Sequence, residues 1–142
     1  MAKQTPIVFF NASVILAGLK APTGGSGKLL GWGKERKIVA VTSEIVLDEV
    51  LRNVGKVGLG KKRSEREISK IFKYLYFPPE AHVVKAFEEV VIDYGDAHVL
   101  ASAHQAKADF LVTLDKKHLL ALKKKIKGIK IVSPGELIEK LS

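Results

Sequence analysis

Short apolar runs alternate with longer stretches of helical period along this chain. Ile7-Val8-Phe9-Phe10, Ile38-Val39-Ala40-Val41 and Phe110-Leu111-Val112 are unbroken and of strand length, as expected of strands covered on both faces. Ile129 to Val132 is a further strand, and the apolar pair Val83-Val84 suggests one more. Between them the spacing predicts helices. One covers Val14 to Leu19. Another runs from Lys28 to Lys37, with Leu29, Leu30 and Trp32 on its apolar side despite Gly31 and Gly33. A third runs from Glu44 to Val54, with Val46, Leu47, Val50, Leu51 and Val54 on one face. A fourth extends to Phe77 and stops before Pro78-Pro79. Further helices are expected after Asp96, from Lys116 to Lys125, and after Ser133.

The polar positions supply the punctuation. Asn11-Ala12-Ser13 and Thr42-Ser43 have the chemistry of helix caps. Ser64 with Glu67, and Ser133 with Glu136, have capping-box spacing. Thr23 to Gly27 and Gly55 to Arg63 are expected loops. Strand and helix in alternation predict a three-layer α/β/α fold around a parallel sheet of about five short strands. No linker or repeat divides the chain, so a single domain over residues 1–142 is expected.

Composition adds three constraints. The absence of Cys excludes a disulfide framework and thiolate chemistry. No apolar run is long enough to span a bilayer and no signal-peptide pattern opens the chain, so a cytoplasmic location without membrane association is expected. The formal net charge of +9 favours polyanionic partners, nucleic acid first, although it also serves solubility. Residues 116–130 contain seven Lys and no carboxylate, and Lys61-Lys62-Arg63 is a second basic cluster. Either suits a phosphate backbone or a solvated face.

Several chemistries are excluded by spacing. The stretch Thr23-Gly24-Gly25-Ser26-Gly27-Lys28-Leu29 lacks the first Gly and the hydroxyl of a phosphate-binding P-loop, and it follows a helix rather than a strand. The four His residues show no zinc-binding pattern. No Gly-x-Ser-x-Gly elbow is present. What is left is a set of acids near one sheet edge. Asn11 and Asp115 directly follow strands, and Asp93 and Asp96 precede or open a helix. Asp48 and Glu49 flank the apolar face of the third helix, and periodicity does not choose between them. Such acids are equally placed to cap helices. Gathered without basic partners, they repel one another unless a hard divalent cation binds. With a basic surface around it, such a pocket suits phosphodiester hydrolysis.

Four segments carry a resemblance to the PIN-domain (PilT N-terminus) family: V-F-F-N-A-S-V-I-L-A at 8–17, T-S-E-I-V-L-D-E-V-L-R at 42–52, D-A-H-V-L-A-S-A at 96–103 and A-D-F-L-V-T-L-D at 108–115. The resemblance implies a parallel sheet between helices and RNA cleavage dependent on Mg2+ or Mn2+, as in toxins of toxin–antitoxin pairs. It implies Glu49, Asp96 and Asp115 as catalytic and metal-binding residues, with Ser13 and Thr113 in support. The family carries Asp where this chain has Asn11. Asn11 would be a neutral fourth ligand, with Asp93 as the residue placed to compensate. RNA, held by Lys61, Lys62, Arg63, Lys116 and Lys117, and an antitoxin protein are the implied partners, and a homodimer is expected.

Asn11 also supports a second expectation, a catalytically weakened module that binds RNA or a protein. Residues 73–79, K-Y-L-Y-F-P-P, would then offer a partner surface or pack as an ordinary helix end. A receiver-like signalling domain fits less well, because Phe10-Asn11 does not supply an acidic pair after the first strand.

Overall fold

The structure is a computed structural model. It describes residues 4–72, 74–76, 78–91 and 93–142, with Tyr74–Tyr76 and Tyr94 by backbone alone. Five strands, β1 (Ile7–Phe10), β2 (Val39–Ser43), β3 (Tyr74–Tyr76), β4 (Phe110–Val112) and β5 (Lys130–Val132), form one sheet in the order β3-β2-β1-β4-β5. Every pairing is parallel. The central strands β1 and β4 carry the expected unbroken apolar runs, and Val8, Phe9, Phe10, Leu111 and Val112 are completely buried.

Among the described residues, seven α-helices surround the sheet: α1 (Ala12–Lys20), α2 (Gly25–Lys34), α3 (Glu44–Asn53), α4 (Lys61–Ile71), α5 (Ala81–Glu88), α6 (Tyr94–Gln105) and α7 (Pro134–Leu141). They pack in two groups, α1 to α4 with α7, and α5 with α6. Right-handed crossovers in opposite directions from β1 place such groups on opposite faces. The main core takes in the sheet, α1 to α4, α7 and also Leu100 and Ala103 of α6. Val84, Ala97 and Ala101 form a smaller cluster between α5 and α6.

Local chemistry accounts for several element ends. The Ser43 side chain accepts from the Val46 backbone N–H and caps α3. Ser133 and Glu136 make the reciprocal capping box of α7, with Pro134 at the first helical position. Thr42 stays in β2, and its hydroxyl donates to the Phe10 carbonyl at 3.0 Å. This bond ties β2 to β1 beside the end of β1.

Five expectations are corrected. The segment from Thr23 to Gly27 is not all loop, since α2 begins at Gly25. A Cβ at Gly27 would lie 2.3 Å from the Pro22 carbonyl oxygen, so the missing side chain lets this corner close. Ser64 does not cap α4. The helix starts at Lys61, and the Ser64 hydroxyl donates back to the Gly60 carbonyl. The helix ends at Ile71 rather than Phe77, and the chain pairs alongside β2 as β3. Residues 73 and 77, with the side chains of 74–76, lie outside the described residues, as does most of the surface expected at 73–79. Val83-Val84 lies in helix α5, not a strand, because only one apolar face has to be covered there, against α6. Lys116 to Lys125 forms turns and a 3₁₀ segment (Leu120–Leu122) instead of an α-helix. Leu119 and Leu122 are buried, and a tight turn satisfies that three-residue spacing.

The two glycines of α2 have opposite environments. A Cβ at Gly33 would approach Ala40 Cβ at 2.8 Å and Ile71 Cγ2 at 3.0 Å, whereas one at Gly31 meets nothing within 4 Å. Gly33→Ala is therefore expected to lower stability by about 1–2 kcal/mol through overpacking. Gly31→Ala should raise it by about 0.5–1 kcal/mol through helix propensity. Urea unfolding midpoints measure both; equal shifts of the same sign would contradict the close approach of α2 to β2 and α4.

Candidate functional site

The register of the central strands builds the site. Phe10 is paired with Val112, so the next residues, Asn11 and Thr113, leave the sheet side by side. The connections from β1 and β4 run to opposite sides, which makes this the point where strand order reverses and where parallel sheets open a crevice.

Side-chain bonds close that edge. Asn11 Oδ1 accepts from the Ala12 backbone N–H at 2.9 Å and caps α1. Its carbonyl end is thereby fixed, and Nδ2 donates to Thr113 Oγ1 at 2.9 Å. Thr113 Oγ1, fully buried, also accepts from the Asp115 N–H at 3.1 Å. The Ser13 hydroxyl accepts from the Leu114 N–H at 3.2 Å. Asn11, Ser13, Thr113 and Asp115 therefore form one hydrogen-bonded seam between the start of α1 and the loop after β4. Asp115 Oδ1 accepts from the His118 N–H at 3.0 Å, which turns the chain back toward the site.

Asp96 enters from the first turn of α6. Its side chain is 13% exposed, and its Oδ2 is buried without a hydrogen-bond partner. Ligand atoms of Asp96, Asp115 and His118 all lie within 4.8 Å of one another. Burial, then the charges of Asp115 and Asp93, push the Asp96 pKa up to about 6, with His118 acting in the other direction. An orphaned carboxylate oxygen beside a second carboxylate fits a divalent cation, which supplies the missing charge and coordination together. Asp96, Asp115 and His118 are the residues able to hold one.

The other expected residues are distributed around this group. Glu49 is exposed on α3 and stands outside it, while neighbouring Asp48 pairs with Arg52 at 3.2 Å. Asp93 is exposed and caps α6 by accepting from the Gly95 N–H. Asn11 belongs to the seam, with both ends of its amide engaged. Lys116 and Lys117 are exposed immediately after Asp115. Lys61, Lys62 and Arg63 are exposed in the first turn of α4, where no acidic residue offsets the positive end of the helix. The basic stretch after Asp115 is not all free, since Lys123 pairs with Glu136 of α7 and, by that bond, holds the Glu136 carboxyl below its usual pKa.

The residue that spacing did not single out is His118. The available signal was Asp-x-x-His directly after a strand, since an Asp side chain that accepts from the N–H three residues on folds that residue back toward its own carboxylate.

Comparison with known proteins agrees with this architecture. A PIN domain family model matches residues 7–117. No curated protein matches the chain. Among solved structures, PAE2754 from Pyrobaculum aerophilum is similar at 20% identity with a TM-score of 0.61, over 96% of this chain and 95% of that one. VapBC2 from Rickettsia felis, bound to a DNA fragment from their promoter, is similar at 17% identity with a TM-score of 0.59, over 89% of this chain and 98% of that one. With the family model covering most of its length and the sheet order and site edge as described, the chain belongs to the PIN domain family.

Proposed function

We propose that the chain is a ribonuclease of the toxin-like PIN type, dependent on Mg2+ or Mn2+. The observation that carries this is the buried, unpartnered Oδ2 of Asp96 facing Asp115 at the switch point of the sheet. Asp96 and Asp115 hold the cation, and Glu49 contributes from the rim on α3. A bound divalent ion supplies a water of lowered pKa and charge for a phosphoryl oxygen. Ser13 and Thr113 set the loop that aims Asp115. Lys116 and Lys117 take the phosphates beside the site, and Lys61, Lys62 and Arg63 take more distant ones. RNA binding should therefore weaken steeply with salt. The structural neighbour VapBC2 carries the name of a paired system, so an antitoxin protein is the natural protein partner, with a homodimer as the assembled form.

One observation favours a second reading. Asn11 brings no charge, and both ends of its amide are engaged within the protein. That suits a weakened site in a module whose main work is binding RNA or a partner. An RNA cleavage assay with Mg2+ or Mn2+ separates the two. The wild-type chain should cleave, and Asp96→Asn should lower the rate by about 100-fold or more. Cleavage by Asn11→Asp alone would establish the second reading, and full activity in Asp96→Asn would remove the first.

Asp96 also makes stability depend on pH. Its folded-state pKa, about 6, lies above the unfolded value of 3.8, so the folded chain binds this proton more tightly. Its charge thus costs stability at neutral pH, and the cost disappears as pH falls from about 6 to about 4. Without metal, Asp96→Asn should be more stable than wild type at pH 7.5 by about 1–3 kcal/mol, with the difference closing near pH 4. Added Mn2+ should raise the melting temperature of the wild type and not that of the variant. Thermal melts across pH test this; parallel curves for the two chains would exclude it.

A further inference from the structure

We infer that His118 is a nitrogen ligand in this site, and that it turns the site's preference from Mg2+ toward Mn2+ and Co2+. The inference rests on the reading of Asp96 and Asp115 as metal ligands and adds a donor that the family resemblance did not supply.

His118 Nδ1 lies 3.6 Å from Asp115 Oδ2 and 3.9 Å from Asp96 Oδ2. Both separations are too long for hydrogen bonds. The ligand atoms of the three residues nonetheless all lie within 4.8 Å of one another, close enough to share one ion. Two ligands about 2.1 Å from one ion stand about 3.0 Å apart at a right angle and about 4.2 Å apart in line. The observed separations fall inside that range.

The arrangement is held from outside. Asp115 Oδ1 is occupied by the His118 backbone N–H, which leaves Oδ2 available. The Asp115 N–H is held by Thr113, and Leu119, the residue after His118, is fully buried. The His118 backbone is thus held by Asp115 on one side and by a core residue on the other. The buried Oδ2 of Asp96, with no hydrogen-bond partner, completes the set.

The donor chemistry sets the preference. Mg2+ takes oxygen ligands and keeps its waters, whereas imidazole suits transition ions. A site with Asn11 in its seam has one carboxylate fewer than the family pattern. His118 restores a coordinating lone pair without restoring the charge. Mg2+ gains little from that exchange, while Mn2+ gains more and Co2+ more still.

Calorimetric titration of the metal-free chain with Mn2+ and with Mg2+ tests this. Mn2+ should bind at least about tenfold more tightly. His118→Asn should weaken Mn2+ by about tenfold or more and leave Mg2+ within about twofold. His118→Asp should narrow the ratio by strengthening Mg2+. The backbone bond to Asp115 Oδ1 survives either change, and melting curves verify folding. A readout on the wild-type chain is independent of variant stability: Co2+ should produce a hyperfine-shifted imidazole resonance assigned to His118. Mn2+ binding unchanged by His118→Asn, or a Co2+ complex without that resonance, overturns the inference and leaves the Asp96–Asp115 reading standing. Failure of the wild type to bind any of the three ions, or binding unaffected by Asp96→Asn, overturns both.

Discussion

The parallel pairing of β1 with β4 is the constraint on which the site depends. A shift of one residue in that register would separate Asn11 from Thr113 and turn alternate side chains to the wrong face. With the observed register, an amide on one strand end meets a hydroxyl on the other, and the same hydroxyl holds the N–H of Asp115. Thr42 adds a third strand to this edge through the Phe10 carbonyl. Asn11, Thr113 and Asp115 are held by bonds between strand ends, not on loops free to drift.

Against that ordered edge, the electrostatics are unfavourable by construction. Burial of Asp96 disfavours its charge most; Asp115, with a ligand atom within 4.8 Å, and then Asp93 repel it further, and His118 offsets part of this. The chain as a whole carries a net charge of +9, yet its lysines stay on the rim and do not neutralise the pair. Among the described residues no Lys or Arg pairs with Asp96 or Asp115. A basic surface around a pair of carboxylates attracts polyanions, in keeping with the function proposed above.

The elements legible in the sequence were those whose pattern had only one physical solution. Strands buried on both faces give unbroken apolar runs, so β1 and β4 fell where Ile7–Phe10 and Phe110–Val112 placed them. Ser133-x-x-Glu136 announced α7 for the same reason. Elsewhere two solutions shared one pattern. Val83-Val84 suits a short strand or one side of a short helix, and packing against Ala97 and Ala101 decided for the helix. Gly33 weakens a helix by propensity, but the close approach of Ala40 and Ile71 requires it. The placement of Asp96 and Asp115 at one sheet edge was legible because each adjoins a strand or helix end. His118 was not, because its position depends on a turn made by the Asp115 side chain rather than on any periodicity.

Asn11 has a consequence for the order of events in the life of the chain. A fully acidic pocket couples folding to the ion, since the protein must either recruit it or tolerate the repulsion. Here the residue at the end of β1 is neutral and satisfied at both ends of its amide. The edge of the sheet can therefore assemble before any ion arrives. On the proposed reading, ion loading would then be a later and reversible step, governed by the ions available around a chain that is already folded.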